Sequence, residues 1–265
     1  EGQHVGLDSG FVIYDQEDQV GLIKQAMKEL GIDDKQFPPR AILSAISSAK
    51  SELVDQRAYR QRASSYFHEV VQRVYESYQG LLWANRALDF DDLLMVTVDL
   101  LRRVPEVMAR YQSRYAHILV DEFQDTNIVQ YELVKLLAAK HRNLCVVGDP
   151  DQSIYSWRNA DIRNILNFEH DYPDSRTVYL EQSYRSPQTI LDVAHSVISA
   201  NQRRKEKKLW TDKGKGAPIA VVETYNEEDE ARFVVAEVDK LVRQGLCRPG
   251  DCAIMYRTNA QSRAV

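Results

Sequence analysis

The chain has 265 residues, 44% of them hydrophobic and 28% charged, a balance that excludes an intrinsically disordered chain. Its formal net charge of −5 excludes a polybasic nucleic-acid arm but leaves room for a local basic groove. No apolar run approaches the ~18 residues a membrane span needs, so no membrane partner is expected.

The three cysteines are Cys145, Cys247 and Cys252. Cys145 lies in an apolar run and reads as a buried thiol. Cys247 and Cys252 lack zinc-ligand spacing and a nearby histidine. Such usage fits a reducing, cytoplasmic compartment. The opening residues, EGQHVGLDSGF, carry neither a secretory pattern nor an initiator Met, so an excised segment is expected.

Residues 15–31 predict a helix, with Asp15 as N-cap, Asp18 three positions on, and Gly31 as the stop. Pro38-Pro39 opens a second helix over residues 40–53. A third, long helix is expected over 57–87. Tyr59, Phe67, Val70, Val74, Tyr78 and Leu81 form its apolar stripe. The aromatics of this stretch read as packing, and nothing in the first third demands chemistry.

Asp89-Phe90-Asp91-Asp92 precedes a helix over 93–103, which Pro105 ends. Asp89 or Asp91 can cap it, and acids in a first turn suit the helix dipole. A helix over 105–111 leads into a strand at 118–120. Two apolar runs, 118–120 and 144–147, end in Asp121-Glu122 and Gly148-Asp149 and are joined by a helical segment. This is a strand–helix–strand unit with carboxylates at both tips, and in open α/β sheets ligands sit at those tips.

Beyond it, residues 161–171 predict a helix and 177–180 a strand. Ser186-Pro187 reads as an N-cap and N1 pair starting a helix to about residue 200. Arg203, Arg204, Lys205, Lys207 and Lys208 form a charge run, either a solvated face or a phosphate contact. A strand at 219–222, a helix at 227–243, a strand at 253–256 and a helix beginning near 259 complete the series. Strands alternating with helices predict an α/β fold with a parallel sheet.

An apolar strand ending in Asp-Glu suits nucleotide hydrolysis. Asp121 can hold Mg²⁺, and Glu122 can polarise the attacking water. The turn-rich loop Gly148 to Ser153 would bring Gln152 near the first tip, where a neutral amide can feel a terminal phosphate. Tyr155, Trp157 and Arg158 follow, an interleaving that suits base stacking; the alternative is that Trp157 is a half-buried core residue.

These segments carry a resemblance. Asp121-Glu122-Phe123-Gln124-Asp125-Thr126 resembles helicase motif II. Residues 148–158, GDPDQSIYSWR, resemble motif III, and 180–186, LEQSYRS, resemble motif IV. Residues 256–263, YRTNAQSR, resemble the segment that follows in the second motor domain. In this order they resemble the UvrD/Rep type of superfamily 1 DNA helicase, and the likeness covers the whole chain.

The resemblance implies parallel RecA-like motor-domain portions plus an all-helical inserted subdomain. Residues 1–87 would be the helical 1B-like part, 88–176 the second half of domain 1A, and 177–265 the first part of domain 2A. It implies ATP and Mg²⁺ as cofactors. Asp121 would hold the metal together with Glu122, and Glu122 would activate water. Gln152 would sense the γ-phosphate, Tyr184 would stack on adenine, and Arg185 would approach the γ-phosphate. Phe90, Tyr155 and Trp157 would stack on bases, with Arg158 and Asn259 contacting the strand. The implied partners are single-stranded DNA, single/double-strand junctions, and repair or replication proteins, with 3′ to 5′ travel.

A phosphate loop needs Gly-x-x-x-x-Gly-Lys-Ser/Thr. The only Gly-Lys here is Gly214-Lys215, followed by Gly216, so the loop is absent from these residues and they are expected to hydrolyse ATP negligibly by themselves. Two rivals stand beside this reading. One is a non-catalytic DNA- or protein-binding module with a motor-like fold. The other is a metal-dependent nuclease built on Asp91, Asp92, Asp121, Glu122, Asp125, Asp149 and Asp151, which needs several of them around one cavity.

Overall fold

Helix α1, Gln16–Glu29, starts where Asp15 accepts the backbone N–H of Glu17 and Asp18 while Asp18 reaches back to the Asp15 N–H. This reciprocal cap satisfies donors that a helix start otherwise leaves open. The computed structural model describes residues 1–62, 64–201 and 207–264. They fall into two units, one covering 1–178 and the other the described residues from 179 onward.

In the first unit, α2 is Pro39–Ser51, opened by Pro38, and α3 is the short Gln56–Tyr59. Helix α4 spans Tyr66–Ala84. The single helix expected over 57–87 is thus broken. Ser65 takes an extended backbone and its hydroxyl accepts the His68 N–H, so the chain starts a new helix there instead of continuing the old one. Ile23, Met27, Ile42, Ile46, Val70, Val71, Val74 and Tyr78 are at most 2% exposed and form the centre of one core shared by α1, α2 and α4. Burying each aliphatic side chain of this size is worth roughly 1.5–3 kcal/mol. Phe67 and Leu81 pack against that core half-buried.

Strands β1, Val12–Ile13, and β2, Ala87–Leu88, pair in parallel across this unit. Helix α5, Phe90–Arg103, and α6, Pro105–Arg114, lead into β3, Ile118–Val120. Helix α7, Ile128–Ala138, returns the chain to β4, Leu144–Val146. β4 lies parallel to β3 with Ile118, Leu119 and Val120 opposite Leu144, Cys145 and Val146. Cys145 is exposed, not buried as its apolar run predicts. It stands opposite Leu119, itself 77% exposed, on the open face of the pair.

The helix expected over 161–171 is two short ones, α8, Arg163–Leu166, and α9, Phe168–Asp171, parted at Asn167. No described helix is long and apolar enough to cross a membrane.

The second unit holds α10, Gln188–Ile198, and α11, Glu227–Arg243. Pro187 takes the N-cap position of α10 with no side-chain cap bond, so the expected Ser186 cap is displaced by one residue. The strands expected at 177–180, 219–222 and 253–256 do not form. Among the described residues the unit's β structure is one parallel bridge, Gln182 to Trp210. Strand character exists only where a neighbour supplies ladder bonds, and among the described residues none pairs with Val221, which is 97% exposed. Near residue 259 the expected helix is a single 3₁₀ turn, Gln261–Arg263.

Candidate functional site

The β3 and β4 tips stay together beyond the strands. Val147 donates its N–H to the Val120 carbonyl at 2.8 Å, and Phe123 donates to the Val147 carbonyl at 2.9 Å. Between those bonds lie Asp121 and Glu122, both exposed at the tip. Asp121 Oδ1 accepts the Glu122 N–H at 2.9 Å. Glu122 sits at φ 48°, ψ 42°, a left-handed conformation that costs a non-glycine residue roughly 1–2 kcal/mol. The fully buried Phe123 anchors this bend, edge-on to Tyr131 at 5.3 Å and to Phe168 at 5.7 Å.

Gln124, with no exposed surface, joins the two tips. It donates to Glu122 Oε2 at 2.8 Å and accepts the Asp149 N–H at 2.9 Å. Gln152 in turn donates from Nε2 to Asp149 Oδ2 at 2.8 Å. Burial and the negative charge of Glu122 push the Asp125 carboxyl upward, against the hydrogen bond from Gln124. Asp121, Glu122 and Gln152 are therefore set on two hydrogen-bonded loops.

The second loop continues into the 3₁₀ turn Ser156–Arg158. Trp157 is 65% exposed, which rules out the half-buried core reading. The Arg158 guanidinium lies 4.5 Å from the Trp157 ring centre and 5.5 Å from that of Tyr155. The two rings are 6.1 Å apart at 46°. Exposed aromatic faces backed by a guanidinium are a surface on which a planar base can stack. Asn159, at φ 63°, ends the turn and donates to Ser51 Oγ at 3.1 Å. Asp161 donates its N–H to the Thr126 carbonyl at 2.9 Å, and Asn164 bonds Thr126 and Asn127. The Trp157 segment is thus tied back to the Asp121-Glu122 loop.

Phe90 is the first residue of α5 and 58% exposed. Asp89 caps that helix reciprocally with Asp92, the structural role expected of these acids. Both also meet Lys50, at 2.7 Å and 2.8 Å, with all three side chains at most 4% exposed. Tyr78 OH donates to Asp89, and Gln79 to Asp92. Burial, ahead of the Ser47 hydrogen bond, raises the Asp91 carboxyl to about 6.

Sequence reasoning passed over Lys50, although the signal was present. Lys50 continues the Ile42, Ile46 spacing of four on the buried stripe of α2, and a cation there needs carboxylate partners. Gln124 was visible only as a letter of the motif, because its role depends on the pairing of β3 with β4.

The carboxylates that a nuclease would use do not converge. Among the described residues no three His, Cys, Asp or Glu are placed to hold a metal ion together, and Asp92 is committed to Lys50. The Asp121-Glu122 pair fits a different arrangement. Mg²⁺ commonly takes one or two carboxylates and completes its shell with water and substrate phosphates.

Tyr184, Arg185 and Asn259 lie in the second unit, all exposed. Tyr184 OH donates to Gln182 Oε1 at 2.9 Å, and Gln182 donates to Asp212 at 2.8 Å. Lys213 Nζ donates to the Arg185 carbonyl at 3.0 Å. Gly216, at φ +75°, runs so close to Pro187 that a Cβ would fall 2.6 Å from that ring. Of the basic run, Arg203, Arg204 and Lys205 lie outside the described residues, and Lys208 is exposed.

Residues 1–173 match the family model for the UvrD/REP helicase N-terminal domain, and 178–265 match that for the UvrD-like helicase C-terminal domain. The chain is 50% identical, over all 265 of its residues, to a Staphylococcus aureus protein named ATP-dependent DNA helicase PcrA, of which it covers 36%. Proteins of the same name from Staphylococcus epidermidis and Leuconostoc citreum are 49% and 47% identical over the whole chain, which covers 36% and 35% of them. The chain thus spans about a third of the length of the curated relatives it matches.

Proposed function

The chain belongs to the UvrD/REP helicase family, and from that premise we propose that it is the central segment of an ATP-driven motor that moves along single-stranded DNA and unwinds duplex. Its fold class is that of RecA-like helicase domains, helices mixed with short parallel strands. One observation carries the proposal. The loop bearing Asp121 and Glu122 is hydrogen-bonded to the loop that bears Gln152 and runs on to the exposed Trp157. Hydrolysis chemistry and a base-stacking surface share one structural piece.

In this reading Asp121, with Glu122, holds Mg²⁺, which when bound neutralises phosphate charge. Glu122 orients and deprotonates the attacking water, with its carboxylate aimed by Gln124. Gln152 meets the γ-phosphate. Tyr184 stacks on adenine and Arg185 supplies positive charge to the phosphoryl group, both assigned by motif. Phe90, Tyr155 and Trp157 stack on bases, and Arg158 and Asn259 contact the strand. Residues 1–87 serve as a helical 1B-like insert, 88–176 as part of domain 1A and 177–265 as part of domain 2A. Partners are single-stranded DNA and single/double-strand junctions, with repair or replication proteins beyond them. Travel is 3′ to 5′, in the cytoplasm.

These 265 residues carry no Gly-x-x-x-x-Gly-Lys-Ser/Thr loop to cradle a triphosphate, so ATPase activity belongs to a full-length protein that has one. The test is Trp157→Ala in that protein. Stacking on an aromatic is worth about 1–3 kcal/mol per base, so single-strand affinity falls roughly 5- to 150-fold while nucleotide affinity stays unchanged. Unchanged DNA affinity by fluorescence anisotropy refutes the stacking surface.

A further inference from the structure

The bond pattern around Gln124 admits one orientation of its amide. The NH₂ group faces the Glu122 carboxylate at 2.8 Å and, more weakly, Asp125 Oδ2 at 3.4 Å. The carbonyl faces the Asp149 N–H at 2.9 Å. Turned over, the amide would set oxygen against carboxylate and NH₂ against N–H, losing these bonds. Gly148 makes the space, since a Cβ there would lie 2.5 Å from Gln124 Oε1 and 2.9 Å from Ile165 Cδ1. The side chain is fully buried, so no water stands ready to replace either bond.

A continuous chain of contacts follows. Glu122 is bonded to Gln124, Gln124 to the Asp149 backbone, and the Asp149 carboxylate to Gln152. The Ser153 hydroxyl adds a longer contact, 3.5 Å, to the Gln124 backbone carbonyl. Four residues after Ser153 comes Trp157.

We propose that Gln124 is a positioning residue that makes the Glu122 carboxylate and the Asp149-to-Trp157 loop move as one, so that nucleotide state is passed to the DNA-binding surface through it. The inference rests on the reading that Glu122 serves ATP hydrolysis and Trp157 binds DNA. A turn of Gln152 toward a phosphate pulls on its bond to Asp149. Asp149 is tied through its own N–H to Gln124, so the strain reaches Glu122. In the other direction, a base seated on Trp157 restrains the loop and thereby the rotamer of Glu122. Coupling of this kind is reciprocal, because each ligand biases the same element.

A residue that merely filled space would change stability and leave that coupling alone. The experiment therefore reads coupling directly in the full-length protein. Single-strand affinity is measured with and without a non-hydrolysable ATP analogue, for wild type, Gln124→Met and Gln124→Glu. Methionine fills the volume without hydrogen bonds. Glutamate keeps an acceptor for the Asp149 N–H and, ionised, loses the donor to Glu122, so it serves if the methionine variant does not fold. In the wild type the analogue shifts DNA affinity; in each folded variant the ratio of the two affinities moves toward one. The DNA-stimulated kcat falls about tenfold or more, with KM for ATP within about twofold. In Gln124→Met/Gln152→Ala the kcat loss is no larger than in the worse single variant.

A folded Gln124 variant with wild-type affinity ratio and kcat overturns this inference alone, as do losses that multiply in the double variant. A wild-type protein without ATPase activity overturns the functional reading, and this inference with it.

Discussion

Replacing Lys50 by methionine keeps nearly the length of the side chain and removes its charge. In the native structure its Nζ lies 2.7 Å from Asp89 Oδ2 and 2.8 Å from Asp92 Oδ1, with exposures of 1%, 2% and 4% for the three side chains. After the change, Tyr78 OH and the Gln79 amide still serve the two carboxylates, but nothing balances their charge. Removing one member of a buried ion pair costs about 3–5 kcal/mol. That is a fifth or more of the roughly 5–15 kcal/mol that holds a domain folded. At roughly 2–4 °C per kcal/mol for a unit of this size, Tm falls by about 6–20 °C. Thermal and urea unfolding followed by circular dichroism at pH 7 measure it. Lys50→Met combined with Asp89→Asn and Asp92→Asn should recover most of the loss, because the charges leave together and asparagine still caps α5. A Tm drop under about 2 °C refutes the argument that these charges are fully desolvated. So does a triple variant no more stable than the single one.

Two further outcomes follow from the same geometry. Glu122→Gln in the full-length protein should lower kcat for ATP by about 10²- to 10⁴-fold, the usual contribution of a positioned general base, with ATP affinity nearly unchanged. Equal kcat in a steady-state ATPase assay would remove Glu122 from the chemistry. Asp91→Asn should stabilise the protein at neutral pH. Burial raises the Asp91 carboxyl from 3.8 to about 6, so between those values the native state binds more protons than the unfolded state. Stability therefore falls as pH rises across that window, and the full cost is present above it. Discounted for partial exposure, the gain at pH 7 is about 1–3 kcal/mol. It vanishes below about pH 4, where both states are protonated, and urea melts at the two pH values give the comparison. A gain independent of pH would assign it to packing.

Local signals in the sequence were legible where one stretch of chain decides the outcome. The Asp15 and Asp89 caps, the Pro38-Pro39 helix start and the two apolar runs that pair as β3 and β4 are of this kind. So was the loop from Gly148 to Arg158, whose turn residues and aromatics are adjacent in sequence. Outcomes that depend on a distant partner were not legible. Residues 219–222 have strand-like composition, but among the described residues no strand is paired with them. Cys145 belongs to an apolar run, yet in a two-stranded pair one face stays open and Cys145 is on it. Gln124 and Lys50 owe their environments to residues 25 and about 40 positions away. The same limit applies to Tyr184 and Arg185, whose assignment rests on motif and not on contact.

The last turn of α2 anchors two exposed aromatics at once. Lys50 holds the start of α5, where Phe90 stands, and the next residue, Ser51, holds Asn159 at the end of the Trp157 turn. A backbone step of one residue separates the two tethers. Phe90 and Trp157 are therefore referenced to a common stop, as two marks on one gauge are. Both tethers start from one helix end, so that end enters the spacing of the two aromatics.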